Sequence, residues 1–196
     1  MTLGGFLRLA WQTLVAPREV ARLLLSLRLG HEALLLAFAL VVVLNTMIFL
    51  ATAQISPPSD ALVPLLSNPV IFMLTLGGTL GVTAIALTWT GRSLGGVGRI
   101  EGVGLLLIWL QAVRMLVQLA VMVLMTIDPG LAGLVVVAAS VLGVWILTNF
   151  LDEAHGFDSL FKAALVLLLG VTGMALGLSF FLTLIGATTM GLTTNV

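Results

Sequence analysis

Five apolar stretches, each about 20 residues long and separated by short polar breaks, occupy positions 33–53, 70–90, 103–125, 131–151 and 164–187 of this 196-residue chain. A helix of about 20 mostly apolar residues crosses roughly 30 Å of hydrocarbon, so all five qualify as membrane spans. With 60% hydrophobic and only 8% charged residues, the chain is too apolar for a soluble domain of this size. The predicted fold class is all-α: a polytopic bundle of five transmembrane helices over 31–190, with an amphipathic interfacial lead at 1–30 and a short external tail at 191–196. No polar segment has the length of a soluble catalytic or binding domain, which places function in the bundle or at its rims.

Charge sets the expected orientation. Arg8, Arg18, Arg22 and Arg28 precede the first stretch, Arg92 and Arg99 lie between the second and third, and Lys162 lies between the fourth and fifth. The first-to-second and third-to-fourth connections and the tail carry no Lys or Arg. By the positive-inside rule the N-terminus is cytoplasmic and the C-terminus external. The first apolar run follows four arginines and is long enough to span, so it reads as a span and not as a cleaved signal. An absence of cysteine rules out disulfides and thiolate chemistry.

The lead divides into two short helices. Leu3, Phe6, Leu7, Ala10 and Leu14 recur at helical spacing while Arg8 and Gln12 share another face, the pattern of a helix in the interface plane. Ala16-Pro17 breaks it; Pro17 opens a second helix with Glu19 in its first turn and Gly30 as its stop. Val20, Leu23, Leu24 and Leu27 line one side of that helix, and Arg18 and Arg22 another. The segment either anchors the first span or recruits a partner.

Of the connections, Gln54 to Pro69 holds Pro57, Pro58 and Pro64 and reads as a stiff external loop, and Asp128-Pro129-Gly130 is short enough to force an antiparallel hairpin. Small residues four apart, Gly77/Gly81, Ala139/Gly143 and Gly173/Gly177, allow close helix approach within the bundle.

Arg114, about eleven residues from either end of the third stretch, is the conspicuous intramembrane charge. Such a charge costs on the order of 3 kcal/mol or more unless solvated or paired. Gln111 and Gln118 fall within about 60° of it on the helix, and Asn45 and Thr46 lie at comparable depth in the first stretch. The expected intramembrane polar site is Arg114, Gln111 and Gln118, closed by Asn45. It serves either an anion, lipid headgroup or substrate, or a structural role in which carbonyls, amides and trapped water neutralise the charge. At the cytoplasmic side Arg92, Arg99, Arg18 and Arg22 form a basic rim facing lipid headgroups. The glycine-rich run 91–102 lacks the strand-turn-helix context of a phosphate loop, although its amides and arginines could hold a phosphate. His155, Asp152, Glu153, Asp158 and His31 are weak metal-ligand candidates, more simply read as a solvated helix junction, so no metal or other cofactor is expected. Nothing resembles a Ser/His/Asp set, a carboxylate pair or an acidic proton relay, so the expectation is a protein that is not an enzyme.

The layout as a whole, Ala-Pro-Arg-Glu at 16–19, five spans, Gly-Gly-x-Gly at 95–98, and Trp145 to Lys162 followed by Ala-Ala-Leu, resembles the Yip family of five-span proteins that interact with Ypt/Rab GTPases. The resemblance implies a bacterial member in the inner membrane. Eukaryotic relatives act in membrane traffic, bind small GTPases through their N-terminal regions and form oligomers; the lead here has only about 30 residues, which weakens that route. The expected role is a membrane scaffold, assembly or trafficking-type factor, with a small transporter or lipid-handling protein built on Arg114 as the alternative. The expected partners are membrane lipids and another membrane protein or a second copy, with no nucleic acid.

Overall fold

The structure is a computed structural model that describes residues 2–55 and 68–191. It is all-helical over those residues: α1 (Leu3–Val15), α2 (Pro17–Ser26), α3 (His31–Ile55), α4 (Pro69–Ser93), α5 (Ile100–Ile127), α6 (Pro129–His155) and α7 (Leu160–Gly191). Five of these, α3 to α7, are long and apolar enough to cross a membrane, α7 over at least Leu160–Gly177. The chain is therefore a multi-pass membrane protein. Each long helix encloses one of the five apolar stretches and extends beyond it at both ends, because a helix satisfies its own backbone polar groups in lipid and can end only where water or a cap is at hand. Pro57, Pro58 and Pro64 of the proline-rich connection, and residues 192–196 of the tail, lie outside the described residues.

Local chemistry fixes the ends. Asp128 closes α5 and caps α6, its carboxylate accepting from the Gly130 and Leu131 amides at 2.8 and 3.2 Å with Pro129 in the first turn. This one-residue link makes α5 and α6 the expected antiparallel pair. Asn68 caps α4 in the same way. α6 stops at Gly156, whose φ of 64° is the left-handed conformation that favours glycine. α2 ends at Ser26, short of Gly30, and Arg28 takes a left-handed φ of 43°.

α5 is central: it touches α2, α3, α4 and α6, while α7 packs on α4 and α6. Leu9, Ala10, Val20, Ala21 and Leu24 of the N-terminal hairpin pack with Leu106, Trp109 and Val113 of α5 and Ile146 and Phe150 of α6. Leu80, Ala84 and Leu87 of α4 pack with Val103 and Leu107 of α5, Leu151 of α6 and Ala163 and Val166 of α7. Val41 of α3 meets Ile108 and Ala112 of α5. The small residues divide accordingly. A Cβ on Gly77 would meet Phe38 at 3.5 Å, and Gly170 lies against Leu87, whereas among the described residues nothing comes within 4 Å of a Cβ placed on Gly81, Gly143, Gly173 or Gly177.

Candidate functional site

At one end of the bundle the start of α3, the α4–α5 loop, the start of α5 and the end of α6 meet, and the charged residues gather there. Arg18 pairs with Asp152, whose side chain is only 5% exposed and also accepts the Ser159 amide at 2.8 Å. One turn along α2, Arg22 grips Glu153 through two hydrogen bonds of 2.9 and 3.1 Å. The four-residue spacing of Arg18 and Arg22 aligns them on one face of α2. Consecutive carboxylates near the end of α6 can then hold both. Hydrogen bonding to Glu153 holds the Arg22 guanidinium above its already high ordinary pKa. Arg92 donates from Nε to the Gly98 carbonyl at 2.8 Å, and Arg99 lies 3.5 Å from Glu101, which His31 approaches at 3.6 Å. All four arginines of the expected basic rim thus have partners within the chain.

The glycine-rich loop has a packing role that its sequence does not announce. His155 is 1% exposed, with Nδ1 donating to the Leu151 carbonyl at 3.0 Å. The imidazole sits against the backbones of Gly91, Gly96 and Gly98. A Cβ on Gly96 or Gly98 would come within 2.7 or 2.5 Å of His155 atoms, and one on Gly91 would overlap the ring. Val97 N–H donates to the His155 carbonyl at 3.0 Å, closing the loop over the end of α6. Phe157 stacks on the other side at 5.2 Å between centroids, with Lys162 6.0 Å from its ring. Nε2 is buried with no hydrogen-bond partner among the described residues. The loop therefore clamps a side chain here, and its glycines are needed for close approach.

The metal-ligand candidates are not brought together. Asp152 and Glu153 are engaged by arginines, His155 is enclosed by glycine, and His31 faces Glu101. Among the described residues no three His, Asp or Glu side chains assemble as a metal site.

Arg114 is exposed on α5, with Gln111 and Gln118 half-buried beside it. It lies within about 20° of Val103 and Leu107 on the helix. Those two residues pack inward against α4, α6 and α7. Arg114 thus continues an inward-facing row, about 10 Å beyond Leu107, where that row is no longer covered. The matching row on α7 runs from Val166 and Gly170, which pack at Leu87, to Gly173 and Gly177, which are exposed. Gln118 Oε1 is buried without a hydrogen-bond partner among the described residues. Asn45 is placed elsewhere: it is buried, donates to the Val41 carbonyl of its own helix at 2.8 Å, and shares the Val41 face. Val41 packs on Ile108 and Ala112, which are about 120° and 160° around α5 from Arg114.

Comparison with known proteins gives one result. The family model described as Yip1 domain matches residues 11–192. No curated protein and no solved structure matches the chain.

Proposed function

The chain belongs to the Yip1 domain family, and from that premise we propose that it is a non-enzymatic scaffold or assembly factor whose charged end docks another membrane protein. The observation that carries this reading is the preassembled state of that end. Arg18–Asp152 and Arg22–Glu153 tie α2 to α6, and the His155 clamp ties the α4–α5 loop to the same helix. A surface fixed by its own contacts loses little conformational entropy on binding, which favours recognition of a partner. The positive charges gathered there support a cytoplasmic placement of this end with the N-terminus inside, and the reading takes a bacterial inner membrane as the setting. The test is mild extraction from the native membrane and mass spectrometry of stoichiometric companions. A defined membrane protein that is lost on combining Arg18→Ala with Arg22→Ala supports the scaffold; a protein that purifies alone under every mild condition overturns it.

One observation favours a second reading, a lipid-handling or transport site. Arg114, Gln111 and Gln118 continue an inward row of α5 into a region where Gly173 and Gly177 of α7 are uncovered. An exposed cationic side chain flanked by two amides near mid-span suits a phosphate-bearing headgroup or another anion. Lipid binding or flux that is lost in Arg114→Ala and kept in Arg114→Lys would support it. Unchanged activity in a folded Arg114→Ala protein would remove it.

A further inference from the structure

α1 has three sides. Phe6, Leu9, Ala10 and Thr13 face the bundle: Phe6 meets Trp109 edge to face at 5.5 Å between centroids, and Thr13 Oγ1 accepts the Trp109 indole N–H at 2.9 Å. Arg8 and Gln12 form a polar edge, and Gln12 lies beside Glu19, Val20 and Leu23 of α2. Leu3, Leu7, Trp11 and Val15 form an apolar stripe that is 75, 47, 67 and 66% exposed.

The depth of this helix decides what covers the stripe. α1 packs alongside Trp109 and Val113, and Leu7, Trp11 and Leu14 border a groove against Val113, Leu116 and Val117. At 1.5 Å per residue, Trp109 and Val113, on which α1 packs, lie about 9 and 15 Å into the apolar stretch that starts at Val103, within the charged-side half of a hydrocarbon layer about 30 Å thick. The polar edge points toward α2 and the charged end, so Arg8 can reach toward headgroups along its methylene stem. The Trp109 indole, which finds no water at that depth, has its donor satisfied by Thr13.

We propose that α1 is embedded in the leaflet on the charged side, deeper than an interfacial helix, with Leu3, Leu7, Trp11 and Val15 packed against lipid acyl chains, so that the α1–α2 hairpin widens the protein in that leaflet. The stripe then continues the lipid-facing surface of the spans, and the added volume favours membranes whose charged-side leaflet is convex.

The chain has no cysteine, so single-cysteine variants can report depth directly. Leu7→Cys, Trp11→Cys and Val15→Cys are spin-labelled in vesicles of phosphatidylethanolamine and phosphatidylglycerol, with Ser26→Cys as the reference at the charged end. The expected result is collision with oxygen exceeding collision with a water-soluble nickel chelate at the three stripe positions, and the reverse at Ser26. Nickel access at the stripe would overturn the proposal by placing it in water. Suppression of both collisions would overturn it equally, because another protein would then cover the stripe. A second readout is orientation: impermeant labelling of Ser26→Cys should show the charged end outside more often in small, highly curved vesicles than in large ones. Carrying Leu3→Ser, Leu7→Ser and Trp11→Ser together should weaken that bias, and equal orientation in both vesicle sizes would refute the widening.

Discussion

Thr13→Val probes the bond that holds α1 against α5. Thr13 is fully buried, accepts the Trp109 indole N–H at 2.9 Å and donates its own hydroxyl to the Leu9 carbonyl at 2.9 Å. Valine preserves the shape and removes the acceptor, leaving the Trp109 donor unpaired. An orphaned buried donor costs about 1–3 kcal/mol. In membrane proteins measured side-chain hydrogen-bond couplings average about 0.6 and reach about 1.7 kcal/mol, because the reference state also finds partners. Between these limits the expected loss is about 1–2 kcal/mol. The assay is reversible unfolding in mixed micelles across a two-by-two cycle with Trp109→Phe, which removes the indole N–H but keeps an aromatic ring. Thr13→Val should cost less by about 1 kcal/mol when Phe occupies position 109, since no indole donor is then stranded. A Thr13→Val protein as stable as the parent, or an equal loss in both backgrounds, would refute this account of how α1 is held.

The remaining expectations concern the charged end and the caps. Gly98→Ala should destabilise by about 1–3 kcal/mol through overpacking against His155 and regain part of that loss when combined with His155→Ala, as measured by unfolding in micelles; no rescue would mean that the clamp is not the cause. Arg18→Ala strands a carboxylate that keeps only the Ser159 amide. Because Arg18 itself is 44% exposed, the expected cost is about 1–2 kcal/mol, below that of a fully buried pair, and Arg22→Ala should cost less in the same assay. Asp128→Ala removes the cap of α6 and should cost about 1 kcal/mol, whereas Asp128→Asn should largely restore it.

Membrane architecture was legible because lipid imposes a length and a polarity that composition alone can meet. The five apolar stretches became α3 to α7, and Pro17, Asp128 and Pro129 took the helix-end positions their chemistry favours. Contacts distant in sequence were not legible. Arg18, Arg22, Asp152 and Glu153 were visible as charges, but their pairing spans more than 130 positions. The spacing of Arg18 and Arg22 by four residues against adjacent carboxylates was the signal available. Glycines at 91, 96 and 98 read as a basic loop because nothing local shows that a histidine about 60 residues later fills the space above them. The amphipathic pattern of α1 gave its polar side and part of its packed side, Phe6, Ala10 and Leu14, but grouped the exposed Leu3 and Leu7 with them and missed Leu9 and Thr13, while its depth depends on where Trp109 and Val113 stand along α5. Arg114, Gln111 and Gln118 share a face by helical arithmetic, but which neighbour Asn45 would meet depended on how α3 is rotated against α5.

The most direct test of the scaffold reading is photo-crosslinking in the native membrane from reactive residues placed at Ser26 and Ser93 on the charged end and, as controls, at Asn68 and Thr126 on the opposite end. All four positions are exposed. A discrete adduct with one protein from Ser26 and Ser93, and none from Asn68 and Thr126, is the result the docking surface predicts. Adducts from both ends alike, or from neither, would contradict it.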